Sequence, residues 1–171
     1  MGKGSKRRAR PIRGMIAGTL GGLAASWAMS AFQKQWAARV GAPEANGAPA
    51  THKAADRVSV ALRGKRVAPR DKKAAAEAVH YATGAAMGAG YGFVNEITPR
   101  FSRGFGTGFG TLTTALIDQY LVPKMGLAKS AKNYSAKTHL YGWASHLIFG
   151  AALEGTRRLL GGRRAARKAS A

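Results

Sequence analysis

Apolar stretches of helix-spanning length alternate along this chain with polar, strongly basic connections, and within them small residues return at every fourth position. The stripes are Gly14, Gly18, Gly22 and Ser26; Gly84, Gly88 and Gly92; Gly106, Gly110 and Thr114; and Gly142 with Gly150. A four-residue recurrence puts each set on one helix face. In a water-soluble helix each such glycine costs roughly 1 kcal/mol relative to alanine, whereas in a bilayer the spacing lets two backbones approach and pack. The pattern predicts an all-α fold, a four-helix transmembrane bundle with Gly-rich small-xxx-small packing faces. Its spans run about 14–36, 76–95, 104–122 and 138–159. Residues 14–159 then form one membrane domain between basic tails at 1–13 and 160–171.

The connections carry their own signals. Trp27 and Trp36 suit a first span whose far end reaches the headgroup layer. The basic linker 37–75 contains Pro43, Pro49 and Pro69 and cannot be one uninterrupted helix. Within it, His52 to Leu62 places Ala55, Val58 and Leu62 on one face, away from Lys53, Asp56, Arg57 and Arg63. That is the pattern of a short interfacial helix, with a solvated helix or loop as the alternative. Pro99 with Arg100 marks the turn after the second span, and Pro123 closes the third. The basic residues before Gly14 resemble the start of a secretion signal, but the apolar run continues to Phe32, so an uncleaved first span is expected. The second and third spans are only marginally apolar, which leaves a soluble Gly/Ala-rich helical bundle as the rival architecture.

Composition sharpens this picture in two ways. A net charge of +21 is what a nucleic-acid-binding protein would show. Yet of 28 Lys and Arg residues only Lys34, Arg157 and Arg158 fall inside a span, each near its end, and the rest crowd the flanks as bilayer burial requires. Contact of the tails with anionic lipid is therefore expected ahead of nucleic acid. Zero cysteines exclude disulfides, thiolate metal sites and a cysteine nucleophile. The positive residues divide evenly between the two sides of the bundle, and the greater charge density around the termini places both termini in the cytoplasm.

The second stripe reads His80, Gly84, Gly88, Gly92, Glu96, and the fourth reads Gly142, His146, Gly150, Glu154, so ionisable groups share the packing faces. Arg13, Gly14 and Gly18 also match Arg103, Gly104 and Gly108, a weak sign that the halves are duplicated. Intramembrane ionisable residues are functional candidates by default. His80, Asp118, His139 and His146 form the candidate polar site. It is read either as proton- or cation-linked, with histidine as relay, or as a hydrogen-bonded lock on helix register. Glu96 with Arg100 and Arg103, and Glu154 with Arg157 and Arg158, are expected to form boundary ion pairs. A bis-histidine haem between His80 and His139 or His146 can be drawn, but no attachment motif accompanies it, and no cofactor or metal is assigned. The run GFGTGFG at Gly104 to Gly110 lacks a preceding strand and a following lysine, so it is read as helix packing rather than a phosphate loop. No hydrolase arrangement is visible, and no enzymatic activity is expected.

Three segments carry a family resemblance: GMIAGTLGGLAASWAM in the first span, HYATGAAMGAGYGF in the second and HLYGWASHLIFGAALEGTRR in the last. Through them the chain resembles the YagU-like bacterial inner-membrane proteins, a family of uncharacterised function. The resemblance implies an integral, four-helix protein of the cytoplasmic membrane and brings no reaction or ligand. The expected role is structural or accessory, self-associating or joined to a larger membrane complex. A small proton- or cation-linked permease is the first alternative, and a soluble basic nucleic-acid binder the second.

Overall fold

The structure is a computed structural model that describes residues 9–43 and 47–162, the side chain of Arg100 excepted. Most of both basic tails lies outside these residues. The described chain is helical throughout, with elements α1 (Pro11–Val40), α2 (Ala50–Arg63), α3 (Lys72–Ile97), α4 (Thr107–Thr113), α5 (Val122–Lys124) and α6 (Ala136–Leu159). A π-helical stretch, Thr114–Leu121, joins α4 to α5, so the third expected span is neither regular nor begun at Gly104.

Local chemistry explains the boundaries. Pro11 presets the first turn of α1, and Ser135 caps α6 by accepting from the Thr138 amide. Pro99 turns the chain at the end of α3. Gly104, Phe105 and Gly106 all take left-handed backbone before α4, and Gly106 must also lie flat against α6. The π stretch opens where the hydroxyls of Thr113 and Thr114 both donate to the Gly110 carbonyl, in competition with the backbone ladder.

The glycine stripes set the packing. α3 runs antiparallel to α1 in a single register: Gly14 lies on Gly92, Gly18 on Gly88 and Gly22 on Gly84. At Gly18, Gly22, Gly88 and Gly92 the hydrogen in place of the missing Cβ is aimed at the partner's carbonyl, the geometry of Cα–H···O contacts, whereas Gly84 faces the Ser26 hydroxyl and Gly14 the Glu96 side chain beside the Gly92 carbonyl. Gly106 meets Gly150 and Gly110 meets the His146 carbonyl in the same way between α4 and α6. α6 also packs along α1, where Gly21 faces Leu153. The four rods therefore alternate up and down. Gly142 departs from its expected packing role: its nearest neighbour is Asp118 Oδ2, at an ordinary 3.6 Å from a built Cβ. The suggested pairing of Gly104 and Gly108 with Gly14 and Gly18 also fails, because Gly108 faces open space and the packed glycines of this helix are Gly106 and Gly110.

The distribution of side chains is inverted relative to a water-soluble core. Small residues fill the interfaces, with a modest apolar cluster of Ala25, Met29, Tyr91, Phe149 and Leu153. Large apolar side chains stand outside: Ile12, Ile16, Leu20 and Trp27 on α1, Leu112 and Leu116 along the third rod, Leu140 and Trp143 on α6. Among the described residues α1 alone is both long and apolar enough to cross a membrane.

α2 packs on α3 with Ala55 buried, while Val58 and Leu62 of its expected apolar face remain exposed. Asp56 holds it in place by bonding Lys72 Nζ at 2.8 Å and accepting from the Val67 amide at 3.2 Å. The Lys72 hydrogen bond, aided by Val67, keeps the Asp56 carboxyl below its ordinary value of 3.8. A depressed carboxyl pKa contributes stability above the unfolded value and loses it as pH falls through the folded one. The clasp should therefore survive acidification past the point where a free aspartate protonates, and open below it. Asp56→Asn should speed hydrogen exchange at the Val67 amide at neutral pH and remove this acid transition; an unchanged exchange profile would dismiss the clasp.

Candidate functional site

The expected polar residues gather at the end of the bundle where α1 finishes and α3 begins. His80 lies one turn beyond Gly84 in the α1–α3 register, and its Nε2 faces the Ser26 carbonyl at 3.3 Å. A carbonyl only accepts, so Nε2 is the donor of this contact. His146 is buried on α6 beside Gly110, with Nε2 3.0 Å from Asp118 Oδ2 and Nδ1 3.2 Å from Thr113 Oγ1. The π stretch carries Asp118, whose side chain is 42% exposed. π-Helical turns often mark functional sites, and here the turn aims the carboxylate at His146.

The hydrogens of this triad can be counted. The single hydroxyl hydrogen of Thr113 serves either the Gly110 carbonyl at 2.8 Å or His146 Nδ1 at 3.2 Å, and with Nδ1 as acceptor the neutral ring turns its Nε2 hydrogen to Asp118.

Two cavities meet at Asp118. One, about 470 Å³, lies between α1, α3, the π stretch and α6 and brings together His80, Asp118 and His146 with Ser26, Met87 and Phe149. The other, about 440 Å³, is lined by Asp118, His139, Gln119 and Lys53 among others. His139 therefore sits apart from the first cavity. Its ring is held by the Ala131 carbonyl at 3.0 Å and by Gln119 at 3.1 Å. Because both nitrogens of His139 and of His146 are engaged, the bis-histidine haem geometry does not form. Among the described residues no group of three or more metal-ligating side chains converges.

At the opposite end lies a charge cluster more deeply buried than the sequence suggested. Glu154 accepts from Arg157 Nε at 2.8 Å and Nη2 at 3.0 Å, from Tyr91 at 3.0 Å and from Arg158. Glu96 takes the Arg10 amide at 3.2 Å and lies 3.9 Å from Arg157 Nη1. The expected Glu96–Arg103 pair does not form; Arg103 is exposed without an ion pair among the described residues, since the left-handed turn at Gly104 directs this loop outward. Glu154 with Arg157 and Arg158 is present, but Glu154 and Arg157 are wholly buried rather than at a wet boundary. The signal was available: Arg157 continues the inward line of His146, Gly150 and Leu153. No family model, curated protein or solved structure matches this chain.

Proposed function

We propose that the chain is a multi-pass protein of a bacterial cytoplasmic membrane, non-enzymatic, with a structural or accessory role. The observation that supports this reading is the inverted arrangement of side chains: Leu, Ile and Trp outward, glycine and paired charge inward. Lipid-facing apolar side chains and closely packed small residues are what a bilayer solvent favours. α3, the α4–α5 rod and α6 are less apolar than α1, and on this reading they cross the membrane by packing against it and one another. The YagU-like resemblance agrees with such a protein. The test is fractionation: the expressed chain should remain in the membrane pellet through high-salt and alkaline washing and need detergent for release. Release by salt alone would favour the basic nucleic-acid binder instead.

A second reading, a small proton- or cation-linked permease, is favoured by one observation. The hydrogen-bonded Asp118–His146 pair opens onto the 470 Å³ cavity.

A further inference from the structure

We propose that the two cavities meeting at Asp118 form one binding site for a free amino acid with a large apolar side chain, held as a zwitterion. The inference rests on the permease reading only in treating the cavities as a site, and adds the ligand class.

Charge placement is the first argument. The chain holds 28 Lys and Arg residues, yet the formally charged side chains lining the two cavities are one of each sign: Asp118 at the junction, and Lys53 in the 440 Å³ cavity. Among the described residues no ion pair joins the two. A neutral His146 donates from Nε2 to Oδ2, which leaves Asp118 its formal charge and a second oxygen, Oδ1, for a ligand. An anion would be repelled by the carboxylate, and a simple cation by the Lys53 ammonium. A ligand that carries both charges answers both side chains.

Shape divides the ligand in the same way. An ammonium at Asp118 and a carboxylate turned toward Lys53 leave the rest of the molecule facing the 470 Å³ cavity. That cavity has no cationic side chain and is walled by Met29, Met87, Met125 and Phe149, soft apolar groups suited to an aromatic or branched body. Gln33, Thr51 and Tyr141 line both cavities and offer amide and hydroxyl groups around the junction. Gly142 lines both as well, and the space its side chain would take lies beside Asp118 Oδ2. Glycine here keeps the junction open instead of packing two helices. The half-exposed Asp118 gives a water-borne ligand its way in, and each volume is that of a small-molecule pocket.

The test uses the full chain purified in non-ionic detergent at neutral pH, with L-phenylalanine, phenethylamine and hydrocinnamate as probes. They share one apolar body and carry both charges, the positive alone and the negative alone. Calorimetry should show saturable binding of phenylalanine, and binding of each single-charge analogue about tenfold weaker or more. Lys53→Gln should weaken phenylalanine by about tenfold or more and leave phenethylamine unaffected. Asp118→Asn, whose amide oxygen can still accept from His146, should weaken phenylalanine as much without weakening hydrocinnamate. Gly142→Leu should fill the junction and abolish phenylalanine binding while helical signal and melting temperature hold, because a Cβ there meets Asp118 at an ordinary 3.6 Å. Absent phenylalanine binding, phenethylamine bound as tightly as phenylalanine, or phenylalanine binding indifferent to Lys53→Gln or to Gly142→Leu would each overturn the proposal, and the probe comparison on the unaltered chain decides it even where a variant fails to fold. Proton- or cation-linked flux without phenylalanine binding would discard it and leave the permease reading standing. Phenylalanine binding without flux in proteoliposomes would uphold it and remove that reading.

Discussion

Gly88→Leu is expected to separate α1 from α3 and abolish the compact fold, while Gly90→Ala, two residues along the same helix, is expected to be harmless or mildly stabilising. A Cβ at Gly88 collides with the Gly18 carbonyl and would stand 2.9 Å from the Gly22 Cα. Both obstacles are backbone, so no rotamer change relieves them, and the helices must move apart along the whole shared register. Overpacking a well-fitted interface costs about 1–3 kcal/mol and sometimes more, and here it would also cancel the Cα–H···O contacts on either side. At Gly90 a Cβ meets nothing within 4 Å, leaving only the helix-propensity gain of about 1 kcal/mol. Thermal melting followed by circular dichroism in detergent, with gel filtration for compactness, separates the two. Equal tolerance of both substitutions would show that the close register is not what holds α1 to α3.

The second large effect is expected at the buried charge cluster. Arg157→Ala leaves Glu154 wholly buried with Arg158 and Tyr91 still bonded to it, and stripping one member of a buried pair costs about 3–5 kcal/mol. Glu154→Ala should also be costly, because it removes the carboxylate that accepts from Arg157 Nε and Nη2. The double replacement Glu154→Leu with Arg157→Met should recover much of the loss, since an apolar pair of similar volume removes both desolvation penalties and Arg158, 26% exposed, can turn to solvent. Melting temperatures of Glu154→Leu, Arg157→Met and their combination form a cycle. Additive losses would mean that Glu154 and Arg157 act independently, contrary to the geometry.

What could be read from the sequence was whatever depends on spacing along one helix. The stripes at Gly14, Gly18, Gly22 and at Gly84, Gly88, Gly92 declare a packing face by themselves, and so does the sharing of that face by His80, Glu96, His146 and Glu154. What could not be read depends on two helices at once. Nothing in the stripe of α3 says that Gly88 faces Gly18 rather than Gly14 or Gly22. The π stretch arises because the Thr113 and Thr114 hydroxyls choose the Gly110 carbonyl in a particular tertiary setting, and it displaces the partner expected at Gly142. Arg157 resembled a flanking residue because arginine next to arginine usually means solvent; only the fold supplies Glu154 and Glu96 as the reason to bury it.

The apolar character of α1, unmatched in the other described helices, bears on how the protein is made. α1 emerges first from the ribosome and on the membrane reading can enter the bilayer unaided, presenting its glycine groove before any partner has been synthesised. α3 then arrives with too little hydrophobicity to commit alone and gains a docking strip of complementary shape. On that proposed reading α1 is the template on which the later, weaker segments are recruited, and a defect in its groove would be felt during biogenesis, as failed insertion and disposal of the chain, before it could be measured as lost stability.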